Sequence, residues 1–316
     1  MGVRARGCAK YSCFGCLGCV GLLLIIALIA GVGTVAELSG PVDQVSRNFE
    51  HRPAREGVTL EEWQGREFDG ARSERPKAAG VVRLELSGAH FRIEPTPAGT
   101  PLRVEANYDR ERFRLSETFR EETDGRWRYE VVFKKKAMLL AIHHDVEDHE
   151  VVIGLPEDLV FALEGNLGIG SHRLELGRLA LTDVDIDAGI GEFDVRISEP
   201  TARPLSRFGW KGEIGEHRII GLGNASPAET SIRSSIGELH VDLRGQWKND
   251  GVVRIRHRIG EASVRLPKEG VHFRNRSTSG LMIGSRQVKL PPPPTDPDAP
   301  EIELDISSSI GEVRVR

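Results

Sequence analysis

The residues best suited to chemistry lie in the run His143-His144-Asp145-Val146-Glu147-Asp148-His149. Side chains alternate between faces along a strand, so His143, Asp145, Glu147 and His149 would share one face. Two imidazoles and two carboxylates on one face form a zinc ligand set. The same run also fits a solvated, charge-rich edge strand or loop. A second candidate is spread along the chain. Glutamate follows an Ile-Gly pair five times, at Glu192, Glu216, Glu238, Glu261 and Glu312, and serine fills the two other places at Ser171 and Ser285. Glutamates stacked about 4.8 Å apart must be solvated, paired with Arg or Lys, or bridged by a cation. The Gly-rich calcium-roll signature is absent. A third set, Cys8, Cys13, Cys16 and Cys19, holds all the cysteine of the chain. Its overlapping C-x-x-C pairs suit a soft metal, thiol chemistry or palmitoylation, and equally suit small apolar residues at a membrane edge.

No G-x-S-x-G, Walker, H-E-x-x-H or dinucleotide fingerprint occurs. The acidic residues are scattered through turns, whereas glycan-cleaving β-helices cluster them on one coil face. The expectation is a protein that is not an enzyme and carries no cofactor. A net charge of −4 gives no basic excess, so nucleic acid is not an expected partner. The run Lys134-Lys135-Lys136 reads as an edge-strand gatekeeper.

Those groups need a framework. From Tyr11 to Ala36 no residue is charged, and roughly 20 apolar residues suffice for a helix to cross a bilayer. Arg4, Arg6 and Lys10 precede the run, whereas Glu37 and Asp43 follow it. The positive-inside rule then places the N-terminus in the cytoplasm and the bulk of the chain outside. The expected layout is a cytoplasmic Cys-rich N-terminus (1–16), one transmembrane helix (17–38), a proline-broken stalk with a possible short helix after Thr59 (39–79), and an extracytoplasmic domain (80–316). A cleaved signal peptide is the rival reading of the apolar run, though the run exceeds the usual 7–15 residues of such a segment.

Strand signals begin near Val81. Val82, Leu84 and Leu86 alternate with charged neighbours, as do Leu102, Val104, Ala106 and Tyr108, and then Trp127, Tyr129, Val131 and Phe133. Period-two alternation marks half-buried strands. From residue 167 onward the chain repeats itself. The pairs are Ile169-Gly170, Ile190-Gly191, Ile214-Gly215, Ile236-Gly237, Ile259-Gly260, Ile283-Gly284 and Ile310-Gly311, at steps of 21, 24, 22, 23, 24 and 27 residues. Four positions after each glycine stands an aliphatic residue: Leu174, Val195, Ile219, Val241, Val264, Val288 or Val315. The apolar positions run at −5, −3 and −1 and then at +2, +4 and +6, so parity changes at the glycine, whose backbone tolerates a corner. A unit of this length repeated in series is a solenoid signature. The expected fold is all-β, a single-stranded right-handed β-helix-like solenoid. Each coil is locked by a buried isoleucine, and Pro291–Pro294 bulges from the last turn. A two-sheet antiparallel sandwich is the alternative.

The motifs Leu86-Ser-Gly-Ala-His-Phe-Arg-Ile93, Val152-Ile-Gly-Leu-Pro156 and the serial Ile-Gly-Glu turns resemble the bacterial "putative adhesin" or toastrack family. They are also similar to the C-terminal domain of LiaF-type envelope-stress proteins. The resemblance covers residues 80–316. It implies an extracytoplasmic β-repeat domain that senses, scaffolds or modulates envelope signalling, with no assigned catalytic residue. The expected location is the cell membrane. The expected partners are the membrane itself, an envelope protein or wall polymer, or a second copy of the chain. Two other readings stay open: a structural adhesin or self-associating scaffold, and a carbohydrate-active β-helix enzyme.

Overall fold

Among the described residues every regular element of length is a strand, and most strands lie side by side in parallel. The computed structural model describes residues 44–53, 79–123, 125–136, 149–276 and 283–316, all within one contact unit of the chain. In chain order the strands are β1 (Gln44–His51), β2 (Gly80–Leu86), β3 (Ala89–Thr96), β4 (Leu102–Asp109), β5 (Phe113–Glu121), β6 (Trp127–Lys135), β7 (Glu150–Pro156), β8 (Val160–Leu167), β9 (Gly170–Glu175), β10 (Ala180–Arg196), β11 (Arg207–Ile220), β12 (Glu229–Asp242), β13 (Gly251–Arg265), β14 (His272–Asn275), β15 (Ile283–Val288) and β16 (Glu301–Val315). The antiparallel alternative is thereby set aside, because antiparallel pairing is confined to β1–β4, β4–β7 and β5–β6.

One coil is one long strand bent at its glycine. β10, β11, β12, β13 and β16 each carry a pre-glycine and a post-glycine limb, and they pair in register, so that Ile190, Ile214, Ile236, Ile259 and Ile310 fall on one line. Along the inside, positions −5 and −3 of one limb face +2 and +4 of the other. Ile186, Ile232, Ile255 and Ile306 fill −5, while Val195, Ile219, Val241, Val264 and Val315 fill +4, all essentially buried. Bulk at −3 and +2 is complementary: Ala188 accompanies Phe193, Gly212 accompanies His217, and His257 accompanies Ala262. A Cβ at Gly212 would stand 2.5 Å from the His217 ring. Close packing therefore sets which of the two positions is small in each coil.

The glycine column is where coil backbones meet. The seven repeat glycines have φ between +122° and +150°, a region L side chains rarely adopt. A Cβ on Gly191, Gly215, Gly237, Gly260, Gly311 or Gly284 would also collide with the carbonyl oxygen of the glycine in the adjoining coil. At +6, where Gly221 interrupts the aliphatic column, the chain turns left-handed (φ 78°) into a 3-10 turn, Leu222–Asn224, and buried Leu222 supplies the missing bulk.

Spatial order departs from sequence order at both ends. β2 lies between β6 and β8, and β3 lies between β7 and β9. At the other end β16 lies between β13 and the pair β14 and β15. The first and last coils of the chain are thus both interior. The proline run Pro291–Pro294 was expected as a bulge from a serial last turn. Instead it belongs to the connection that carries the chain back from the outermost coil into the slot beside β13. The repeat could not foretell this, since Gly284 and Gly311 are interchangeable as neighbours of Gly260.

Residues 44–51 were expected in a stalk. They form β1, which adds to β4 in antiparallel register from Gln44 against Asp109 to His51 against Leu102. Its end is fastened. His51 Nε2 lies 2.8 Å from Glu117 Oε1, and the Arg52 guanidinium donates to Asp158 Oδ2 at 2.6 Å and to the Thr100 carbonyl at 2.8 Å. No helix among the described residues is long and apolar enough to cross a membrane. The expected span 17–38, the cysteines and the rest of the stalk from 54 to 78 lie outside the described residues.

Two substitutions separate the causes of the glycine requirement. Gly99 also has positive φ, yet a Cβ there meets nothing within 4 Å. Gly99→Ala is expected to cost about 1 kcal/mol, from backbone strain alone. Gly237→Ala, which adds the collision with Gly215, is expected to cost about 3 kcal/mol or more. Urea denaturation of the two variants measures the difference.

Candidate functional site

The most distinctive surface is the outside of the glycine corner. The expectation that each isoleucine is buried is wrong: all seven point to solvent, from 42% exposed at Ile259 to 73% at Ile283. The reason lies in the corner itself. Pairing runs through −3, skips −2 (Gly189 against Glu213) and resumes at −1. Residues −2 to +1 therefore form the bend, and a side chain at −1 leaves the tip of it. The coils still stack as expected, because the isoleucines cover one another from level to level. The result is an aligned apolar ridge on an otherwise charged surface.

Charged columns flank the ridge. On the post-glycine side, position +1 carries the glutamates and +3 carries their partners. Arg218 pairs with Glu216, and Arg314 reaches both Glu312 at 2.7 Å and Glu261 at 2.9 Å. His240 Nε2 lies 3.3 Å from Glu238 and 3.6 Å from Glu216, while its Nδ1 is 2.7 Å from Ser263 Oγ. Glu216, Glu238 and His240 place three ligand atoms within 4.8 Å of one another. A divalent cation there would compete with Arg218 for Glu216, so the arrangement serves as a salt-bridge network, the paired option for stacked carboxylates. On the pre-glycine side, position −4 carries Lys211, Arg233 and Arg256 on adjacent strands, where like charges repel. Lys211 has Asp187 at 3.5 Å. Between that column and the ridge, position −2 is small at Gly168, Gly189, Ser235 and Ser309, and at Gly168 and Gly189 it opens a furrow of about 300 Å³ beside Ile169 and Ile190. A wider groove of about 430 Å³ lies further out over Gly165 and Gly209, crossed by the Arg83–Glu164 and Lys211–Asp187 pairs.

Of the expected zinc ligands, His143, Asp145 and Glu147 lie outside the described residues. His149 is buried just before β7 with its ring edge-on to Phe113 at 4.7 Å, and its carbonyl accepts from the His90 amide.

Sequence reasoning missed a buried imidazole stack. Phe91, His172, Phe193 and His217 lie face to face at centroid distances of 4.7, 5.0 and 5.1 Å. They line the +2 position, where the pattern predicts an apolar residue. The presence of histidine at 172 and 217 was the available signal. Neither ring nitrogen of His172 or His217 has a hydrogen-bond partner among the described residues. Burial, with a smaller push from His90, lowers the His172 pKa to about 3. Burial, with His257 next, lowers that of His217 to about 4. His257 is lowered by burial as well.

Residues 73–206 match the N-terminal domain of toast_rack (DUF2154). That stretch is similar to the toastrack family. The match spans the capped end of the stack, from β2 to β10, and stops before the basic residues of β11 to β13. The chain is also similar to a solved structure of a "putative cell adhesion protein" from Clostridium sporogenes, at 12% identity and TM-score 0.36, covering 86% of this chain and 99% of that one. A "putative adhesin" from Bacteroides fragilis is similar at 8% identity and TM-score 0.38, covering 87% and 97%. No curated protein matches the chain.

Two outcomes follow from the inward and outward columns. Ile236→Ser is expected to shift stability by about 1 kcal/mol at most, whereas Ile232→Ser in the core of the same strand should cost about 3 kcal/mol or more. Thermal unfolding of both variants compares them. The second concerns acid. The folded β-repeat region holds His172 and His217 neutral, while the unfolded chain takes up protons below about pH 6.5, so stability is full above that pH and falls as pH drops towards 4. Each imidazole should remove on the order of 1.4 kcal/mol per pH unit within that window. Denaturation between pH 7 and 5 measures the slope, and His172→Phe should flatten it.

Proposed function

We propose that this chain is a non-enzymatic interaction module of the cell envelope: a toastrack domain held at the membrane by residues 17–38 and displayed outside the cytoplasm, its coils wound right-handed as parallel crossovers are. The observation that carries the reading is the outward ridge of isoleucines between charged columns. A contiguous exposed apolar strip on a monomer surface is the usual mark of a protein-binding face. The concave surfaces support the same conclusion. The wider groove is floored by glycine and crossed by the Arg83–Glu164 and Lys211–Asp187 pairs, so its polar groups suit contact with a charged partner surface. Its partner class is an envelope protein or wall polymer that reads the ridge and its charges.

The test joins topology to contact. In intact cells the full chain should fractionate with membranes, and removal of residues 17–38 should release it. A C-terminal reporter active only outside the cytoplasm should be active. A photo-crosslinking side chain at Ile214 should capture protein at least about tenfold more efficiently than one at Glu199 on the opposite edge. Capture at equal efficiency from both positions would overturn the ridge as the interaction face. A soluble full chain, or a silent reporter, would overturn the display.

A further inference from the structure

The corner has the form of a surface made to pair with itself, and the geometry points to a second copy of this chain as its occupant. The inference goes beyond the display role and stands without it. Across the corners of β11, β12 and β13 the order is basic at −4, Glu213, Ser235 or Arg258 at −2, isoleucine at −1 and acidic at +1, whereas at the β10 level −4 is Asp187 and −2 is Gly189. A two-fold axis parallel to the stack turns one copy onto another with every level facing its own equivalent. If each isoleucine ridge then lies in the partner furrow, the acidic column of each copy lies over the basic column of the other. No other column needs to move. At three successive levels the charges oppose: Lys211 faces Glu216 of the second copy, Arg233 faces its Glu238, and Arg256 faces its Glu261. Each of these residues sits at the same level as its opposite, since Lys211 and Glu216 belong to β11, Arg233 and Glu238 to β12, and Arg256 and Glu261 to β13.

Two further observations favour this occupant over an anionic surface or polymer. The glutamate column would repel either one, yet it is what a second copy needs. The basic column also holds like charges on neighbouring strands, a cost that an acidic partner column offsets. Arg233 and Arg256 have no ion pair among the described residues. The furrow is filled at Glu213 and Arg258, which are exposed and long enough to lie along the ridge with the charge in water.

Size sets the strength. Seven levels about 4.8 Å apart make a strip roughly 29 Å long. Across the four columns it would bury on the order of 500 Å² per copy, below the roughly 800 Å² of a standard interface. The pairing is therefore reversible and concentration-dependent, and like any charge-ordered contact it weakens with salt. The parallel axis brings β1 of both copies to the same end, as two chains tethered to one surface require.

The test uses the full chain with Cys8, Cys13, Cys16 and Cys19 replaced by serine. A parallel two-fold sets like levels together, so Ile236→Cys should form a disulfide dimer under mild oxidation at least about tenfold faster than Glu199→Cys. Arg233→Glu should slow that crosslink about tenfold, and adding Glu238→Arg should restore it. Thermal unfolding of Arg233→Glu alone should match the parent, which separates lost pairing from lost folding. Equal crosslinking at 236 and 199 would overturn the inference. So would linkage of Ile190→Cys to Ile310→Cys in place of 190 to 190, which reports antiparallel stacks, or a charge swap that fails to restore the dimer.

Discussion

The structure depends on one contact, glycine backbone against glycine backbone, repeated along the stack. At each corner the positive-φ bend puts a carbonyl oxygen where a Cβ of the next coil would be. No side chain can enter, so the coils close to strand-pairing distance at their sharpest bend. With the bends in contact, both limbs pair in register from Asp183 against Arg207 to Arg196 against Ile220, and likewise in the coils beyond. Register then aligns the columns. Aliphatics at −5 and +4 become a continuous core, and whatever stands at −1, +1 or −4 becomes a line on the surface. A one-residue slip would turn the core face outward, and the glycine column is what forbids it.

The second constraint is where the chain ends are kept. A solenoid with serial coils leaves its first and last strands as open edges, which fray or recruit other chains. Here the first coil, β2 and β3, and the last, β16, are each covered on both sides. Antiparallel β5 and the β4–β1 pair then close one end, with His51 and Arg52 pinning the outermost strand to Glu117 and Asp158. Burial pushes the Asp158 carboxyl up, but the hydrogen bonds from Arg52 and the Gly99 amide outweigh it and hold its pKa below the ordinary value. Among the described residues the other end is finished by the short, largely exposed β14 and β15.

The stacking was legible in the residues because it is a property of the repeat: seven Ile-Gly pairs at near-constant steps can only mean aligned coils. The direction of the isoleucines was not. Period-two reasoning assumes a strand straight enough to keep its parity, and −1 lies inside a bend that has none. The coil order was equally hidden. Gly284 follows Gly260 at the same step of 24 residues that separates Gly191 from Gly215, so nothing in the spacing reveals that Gly311 stands between them. The imidazole stack was missed because His172 and His217 sit in a column whose other members are Phe193, Leu239, Ala262, Val313 and, at the outermost level, Arg286. Column membership was taken from the majority, although an uncharged imidazole between phenyl rings fills the same space. β1 was missed because a strand half exposed at the edge of a stack can be as charged as a linker.

The outward isoleucines also bear on why such a surface is retained. An isoleucine at a bend earns little from the fold, since roughly half of it stays wet whichever coil it belongs to. Threonine or valine would make the same turn with less apolar surface exposed. Seven identical choices in one line also carry a hazard, because an exposed apolar row invites association. Folding therefore supplies no reason for the column, and solubility supplies a reason against it. The proposed association would account for the column, made selective by what lies to either side. An acidic column on one flank and a basic column on the other each disfavour a partner strip of like charge. They admit a surface with the opposite order, and the nearest surface with that order is the same corner rotated by half a turn.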